Sequence, residues 1–186
     1  MLPPGRDIVP LVDGSVEAAV LVPLFELDGE AHVVLTKRPE SMPSHQGEIA
    51  FPGGKFDAAL DADVRATALR EAKEEIGLAP SDVEVVARLE GIATVASRFA
   101  IAPFVGFLPP RPLLRPDPRE VVRVFDVPLS ALMAEGVYRE ERWDTWMADL
   151  DVHFYELEDE TVWGATARIL TSFLAHLIAD RSPNTM

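Results

Sequence analysis

Between Ala50 and Leu78 the chain sets a Phe-Pro-Gly-Gly turn, Phe51 to Gly54, ahead of a helix-forming run that stops at Gly77. No other segment constrains the fold as tightly. The run Val64 to Ile76 predicts a helix, with Asp61 or Asp63 as its N-cap and Gly77 as its terminating glycine. Pro80 then opposes quick resumption of the helix. A helix advances about 100° per residue, so Leu69, Ala72 and Ile76 share a packing side. Glu71, Glu74 and Glu75 fall within a different stripe of roughly 100°. One face of this helix is expected to pack, and the other to present three acids.

Strands and helices alternate around that helix. Val16 to Leu27 reads as a buried strand, Asp28-Gly29 as a turn, and His32 to Thr36 as its hairpin partner. Lys37 to Gln46, interrupted by Pro39 and Pro43, reads as a loop. Further strands are expected at Asp82 to Ala87 and Phe99 to Leu108, joined by a Gly91 to Ser97 connection, with a proline-rich loop from Pro109 to Pro118. Glu120 to Val127 reads as a strand leading into a short helix, Leu129 to Ala134. Val137 to Trp146 and Val152 to Leu157 suggest a late hairpin. Ala167, Leu170, Phe173, Leu174 and Leu177 recur at helical steps within a final helix, Thr166 to Ala179. The pattern implies an α/β (α+β) architecture with a mixed sheet and helices on its faces, folded as a single domain over residues 1–186.

Composition excludes several classes of function. The chain has no cysteine, which removes disulfides, thiolate metal sites and cysteine nucleophiles and is compatible with a reducing cytoplasm. Its net charge of −14, from 17 Lys and Arg against 31 acids, argues against non-specific nucleic-acid binding, which needs a basic face. Ala18 to Phe25 is too short to cross a bilayer, and the opening MLPPGRD does not read as a leader. A soluble cytoplasmic protein is therefore expected, and a homodimer is left open. An anionic substrate would need a divalent metal or a local basic cluster to offset the chain's charge.

Taken alone, the acids of Arg70-Glu71-Ala72-Lys73-Glu74-Glu75 read first as a solvated surface paired with Lys73 and Arg70. Like charges at helical spacing repel by a few tenths of a kcal/mol per pair, and magnesium or manganese would relieve that repulsion with oxygen ligands. The glycine pair tips the reading, because Gly53 and Gly54 leave backbone groups unobstructed next to the acids, where a phosphate or a metal can approach.

The segment resembles the Nudix box, which runs from a glycine through a glutamate to Arg-Glu-apolar-any-Glu-Glu-any-Gly-apolar. Arg70, Glu71, Ala72, Glu74, Glu75, Gly77 and Leu78 match its second half in order. The first half departs: Gly54 to Arg70 is two residues longer than the pattern, and the early glutamate falls on Ala62. A longer loop capped by Asp57, Asp61 or Asp63 accounts for this. The resemblance implies a Nudix-type α/β/α sandwich. It also implies a metal-dependent pyrophosphohydrolase whose Mg2+ or Mn2+ is held by Glu71, Glu75, Glu74 and the Gly54 carbonyl, with Arg70 orienting an acid. Glu120 resembles the position from which some relatives supply a further carboxylate, a candidate general base, against the plainer reading of a surface acid.

Upstream, Leu35 to Gly54 resembles the signature of the coenzyme A pyrophosphatase branch of that family, with Thr36, Arg38, His45, Gly47, Phe51 and Pro52 in place. Pro39 and Pro43 depart from it. Trp163-Gly164-Ala165-Thr166 looks like the opening of that branch's final helix, although plain core packing is the preferred reading of Trp163. The branch implies hydrolysis of coenzyme A to 4′-phosphopantetheine and 3′,5′-ADP, with Arg38, His45, Gly53 and Gly54 as substrate contacts, to which the basic stretch near Pro118 adds Arg115 as a candidate. Arg111, Arg115 and Arg119 read either as a site for a nucleotide phosphate or as a solvated loop. His45 reads as an exposed loop histidine before it reads as a contact. Rival expectations are a Nudix hydrolase for ADP-ribose, a dinucleotide or a dNTP, and a binding module without catalysis.

Overall fold

A computed structural model describes residues 14–41, 45–94, 98–110, 112–144 and 149–181. Strand β1 (Val16–Leu27) turns through Asp28 and Gly29, both left-handed at φ 53° and 84°, into the antiparallel β2 (Glu30–Lys37). Two left-handed residues match the right-handed twist of the flanking strands, which is why Asp-Gly marks such hairpins. The chain then folds back as β3 (Ile49–Ala50) along the end of β2 and crosses to β1 as β4 (Gly53–Lys55). Helix α1 (Val64–Ile76) follows, then β5 (Glu84–Arg88), β6 (Ile92–Ala93), β7 (Phe99–Phe107) and β8 (Arg123–Pro128). The last elements are α2 (Leu129–Leu132), β9 (Tyr138–Asp144), β10 (Asp149–Glu156), β11 (Thr161–Trp163) and α3 (Gly164–Arg181).

The main sheet runs β3-β2-β1-β7-β5, with β4 added to β1, β6 to β7 and β8 to β2. Among the described residues its one parallel pair is central: β7 lies beside β1 from Val16↔Phe99 to Leu24↔Phe107. Both faces of β1 are covered, so it reads as a near-continuous apolar run. Alternate residues feed two cores. Ala19, Leu21 and Val34 pack with Ala68, Ala72 and Ile76 of α1 on one face. Val22, Val33 and Leu35 pack with Leu132 of α2 and with Leu170 and Phe173 of α3 on the other. Each fully buried aliphatic side chain contributes roughly 1.5–3 kcal/mol, so the two layers together fix the α/β/α sandwich expected from sequence.

Several readings need correction. Pro80 does not hold off helical structure; it opens a short 3-10 turn, Pro80–Asp82, in a first-turn position where its missing N–H is not needed. The expected late hairpin is a three-stranded sheet, β11-β10-β9, and β6 lies inside the expected connection. Glu120 lies in a turn before β8 rather than within a strand. Trp163 is 40% exposed instead of packed in the core, and tilts against Trp143 with ring centroids 6.4 Å apart on the outer face of the small sheet. Leu177 is likewise exposed. Arg111, Pro43 and Trp146 lie outside the described residues.

Candidate active site at the carboxylate helix

The glycine pair meets the helix because β1 carries two partners on one edge. Residues Ala18 to Val20 pair with β4 and Leu24 to Leu27 with β2, while the Leu21 N–H donates to the Pro52 carbonyl at 2.9 Å between them. This fork delivers Gly53 and Gly54 beneath α1. A side chain at Gly53 would strike the β1 backbone, with a Cβ 2.4 Å from the Ala19 carbonyl oxygen. One at Gly54 would instead strike the Glu71 carboxylate, 2.4 Å from Oε1. Both positions therefore need glycine, for different neighbours.

The three helix acids are not equivalent, contrary to the expectation of one acidic face. Glu75 points inward and is 3% exposed, with its Oε2 accepting the Gly53 N–H at 3.2 Å. The nearest cation is the Arg38 Nη1, 3.8 Å from Oε1. Burial pushes the Glu75 carboxyl up to about 8, against the opposing Gly53 hydrogen bond and with a further push from the charge of Glu71. The Glu71 carboxyl is also raised, again chiefly by burial. Both feel the charge of Glu120, which the turn after Asp117 brings to this end of the sheet. Glu74 stands at the rim, half exposed, with its Oε2 accepting from the Arg70 Nη1 at 2.9 Å.

Arg70 is a hub that orients acids. Its Nε and Nη2 donate to the two oxygens of Asp61 at 2.8 and 2.9 Å, its Nη1 to Glu71 Oε1 at 2.8 Å as well as to Glu74, and its Nη2 also to the Lys55 carbonyl. Asp61, weighed from sequence only as a cap, is buried and takes further bonds from the Thr67 hydroxyl and the Asp57 N–H. The Arg70 guanidinium holds its carboxyl down to about 2. Asp63 is the cap, accepting the Ala66 N–H at 2.8 Å. An acid in the loop ahead of a box arginine was the available signal for Asp61, but spacing alone does not distinguish a cap from an anchor.

The remaining expected residues divide. Arg38 is brought to Glu75, and its buried Nε has no hydrogen-bond partner. His45 sits in a left-handed turn and pairs with Glu48 at 2.8 Å, not with the carboxylates. The proline-rich loop closes the end of α1: the Arg115 and Asp117 N–H groups donate to the carbonyls of Ile76 and Glu75 at 2.7 and 2.9 Å, satisfying acceptors a helix end leaves open. Arg115 itself is exposed and Arg119 is paired with Asp117, so these two described arginines do not form one free basic cluster.

Among the described residues, no three His, Asp or Glu side chains are already grouped as a metal cage. The donor chemistry still fits a hard divalent cation. Glu71 and Glu75 offer carboxylate oxygens in a setting where burial penalises their charge, and a cation would offset that penalty. The orphaned Arg38 N–H beside them fits an anionic oxygen.

Residues 16–148 match the NUDIX domain family. The chain is similar to Nudix hydrolase 22, chloroplastic, of Arabidopsis thaliana, with 43% identity over 90% of this chain and 57% of the plant protein. It thus spans little more than half the length of that relative. It is also similar to the peroxisomal coenzyme A diphosphatase NUDT7 of Mus musculus, with 39% identity over 87% of this chain and 68% of the mouse protein. Its fold is like that of a C. elegans Ap4A hydrolase binary complex, with a TM-score of 0.61 at 18% identity, covering 88% of this chain and 98% of that one.

Proposed function

The chain belongs to the Nudix hydrolase family, and from that premise we propose that it is a metal-dependent pyrophosphohydrolase that cleaves coenzyme A or its thioesters to 4′-phosphopantetheine and 3′,5′-ADP. The observation that carries the reaction class is the pair of largely buried carboxylates, Glu71 and Glu75, set against Gly53 and Gly54 beside the unpartnered Arg38 N–H. The substrate rests on the mouse relative's name and on the Leu35 to Gly54 signature.

Glu71 and Glu75 would hold magnesium or manganese, with Glu74 and the Gly54 carbonyl as further ligands. When bound, the ion supplies Lewis acidity and the positive charge that a crowded pyrophosphate requires. The Gly53 N–H holds Glu75 Oε2, leaving Oε1 toward Arg38. The Arg38 Nε–H donates to a phosphate oxygen and strengthens that contact as negative charge grows there in the transition state. Glu120 accepts a proton from the attacking water at a carboxylate oxygen. The water oxygen bonds to one phosphorus as the bridging P–O bond breaks, and the bridging oxygen leaves on the other phosphate.

Product analysis after incubation with coenzyme A and Mg2+ or Mn2+ tests this. Equal amounts of 4′-phosphopantetheine and 3′,5′-ADP are expected. Far faster turnover of ADP-ribose, a dinucleotide or a dNTP would replace the substrate while keeping the reaction class. A Glu75→Gln protein with undiminished turnover would contradict the class itself.

A further inference from the structure

Glu71 is set by a chain of contacts that begins outside the helix. Its Oε1 is fixed on one side by the Arg70 Nη1 at 2.8 Å and on the other by Gly54, where even a methyl group would come within 2.4 Å of that oxygen. Among the described residues the donor to Glu71 is this Arg70 N–H on Oε1, which leaves Oε2 for a ligand. Arg70 is a sequence neighbour of Glu71, and an arginine in that relation on an exposed helix would swing freely among solvent, Glu71 and Glu74. It does not swing here, because Asp61 takes two of its N–H groups at 2.8 and 2.9 Å in a planar fork. Asp61 is itself immobilised. Its side chain is 1% exposed, and the Thr67 hydroxyl and Asp57 N–H saturate its outer oxygen.

Resting on the proposed metal site, we infer that Asp61 is a positioning residue of that site: through Arg70 it aims Glu71 so that one oxygen is clamped and the other is presented to a divalent cation. Asp61 touches no reacting atom. It stands one residue before Ala62, where the box spacing places an acid this chain lacks, and the longer loop lets its carboxylate reach Arg70 from a buried seat. The loop length that departs from the pattern is thereby tied to the site's geometry.

Mn2+ binding to the substrate-free protein, followed by calorimetry, reads this without reference to turnover. Asp61→Asn keeps the size of the side chain but loses the charged fork. We expect about tenfold or greater weakening of Mn2+ affinity, the scale typical of residues that orient ligands. The value of kcat should fall with it while KM for coenzyme A changes less than about twofold. Combining Asp61→Asn with Arg70→Ala should be no worse than Arg70→Ala alone, because both break one chain of contacts. Unchanged Mn2+ affinity in folded Asp61→Asn, or losses that add, overturns the inference. If Asp61→Asn does not fold, Arg70→Lys serves instead: it keeps the charge but cannot span Asp61 and Glu71 together. The same weakening supports the positioning role, and unchanged affinity overturns it. Parent protein that binds no Mn2+ sinks the metal site as well, which separates the two failures.

Discussion

Glu75 carries the sharpest conflict in the molecule, a carboxyl held in the core of the site with one backbone N–H for company. Its carboxyl is pushed up to about 8 in the folded, metal-free protein, so the fold binds a proton that the unfolded chain releases near 4.5. Stability from that proton is complete below about pH 4.5 and is lost as pH rises toward 8, by up to about 1.4 kcal/mol per pH unit. The melting temperature of metal-free protein should therefore fall between pH 5 and pH 8. Glu75→Gln should melt with a shallower slope, retaining only the contribution of Glu71, which is shifted in the same direction. The same variant should lose at least about a hundredfold in turnover while staying folded. Equal slopes in the two proteins would mean that Glu75 is not the buried proton site.

The glycines offer a second residue-scale contrast. At Gly54 an added Cβ meets the side-chain carboxylate of Glu71, which can be displaced only by breaking its Arg70 contact, while at Gly53 it meets the β1 backbone, which cannot give way. Gly54→Ala should fold normally and lose activity through displacement of Glu71. Gly53→Ala should lose stability by about 1–3 kcal/mol from overpacking. Denaturant midpoints and turnover measured on both variants check this, and a stable, active Gly54→Ala protein would contradict the contact.

Among the elements, α1 is defined at both ends by contacts outside itself. Asp63 caps its start, Gly77 at φ 70° ends it, and the Arg115 to Asp117 backbone closes its last carbonyls. Asp63→Ala should cost about 1 kcal/mol of stability. Since Asp61, not Asp63, holds Arg70, kcat in the folded fraction should hardly change; an equal loss of activity would merge the two roles. The helix bounds Val64 and Ile76, and those of β1, were legible because caps, a terminal glycine and a long apolar run are local signals. The inward turn of Glu75 was not, because hydrophobic periodicity assigns every glutamate to the solvent side. The Gly53 N–H and the Arg38 guanidinium, both distant in sequence, offset the cost of that burial. Strands β3, β4, β6 and β11 span two or three residues each, too few for a period of two to register. Trp163 was misplaced because a large ring reads as core, while its strand belongs to a small sheet with an exposed outer face.

Across the whole molecule, the parallel pairing of β1 with β7 separates two apolar layers, and the fork on the opposite edge of β1 sets the glycine turn against the carboxylate helix. Site and scaffold thus share one strand. The net charge of −14 makes the local balance decisive, because a pyrophosphate reaching this surface meets mostly acids. In the proposed reaction, Arg38 and a bound divalent cation would reverse the sign there. Among the described residues no helix is long and apolar enough to cross a membrane. The most direct test of this arrangement is a crystal grown with Mn2+ and examined by anomalous scattering. A peak bounded by the carboxylates of Glu71 and Glu75, with Glu120 facing it, is the predicted result. Well-ordered side chains at those positions with no peak between them at saturating Mn2+ would contradict it.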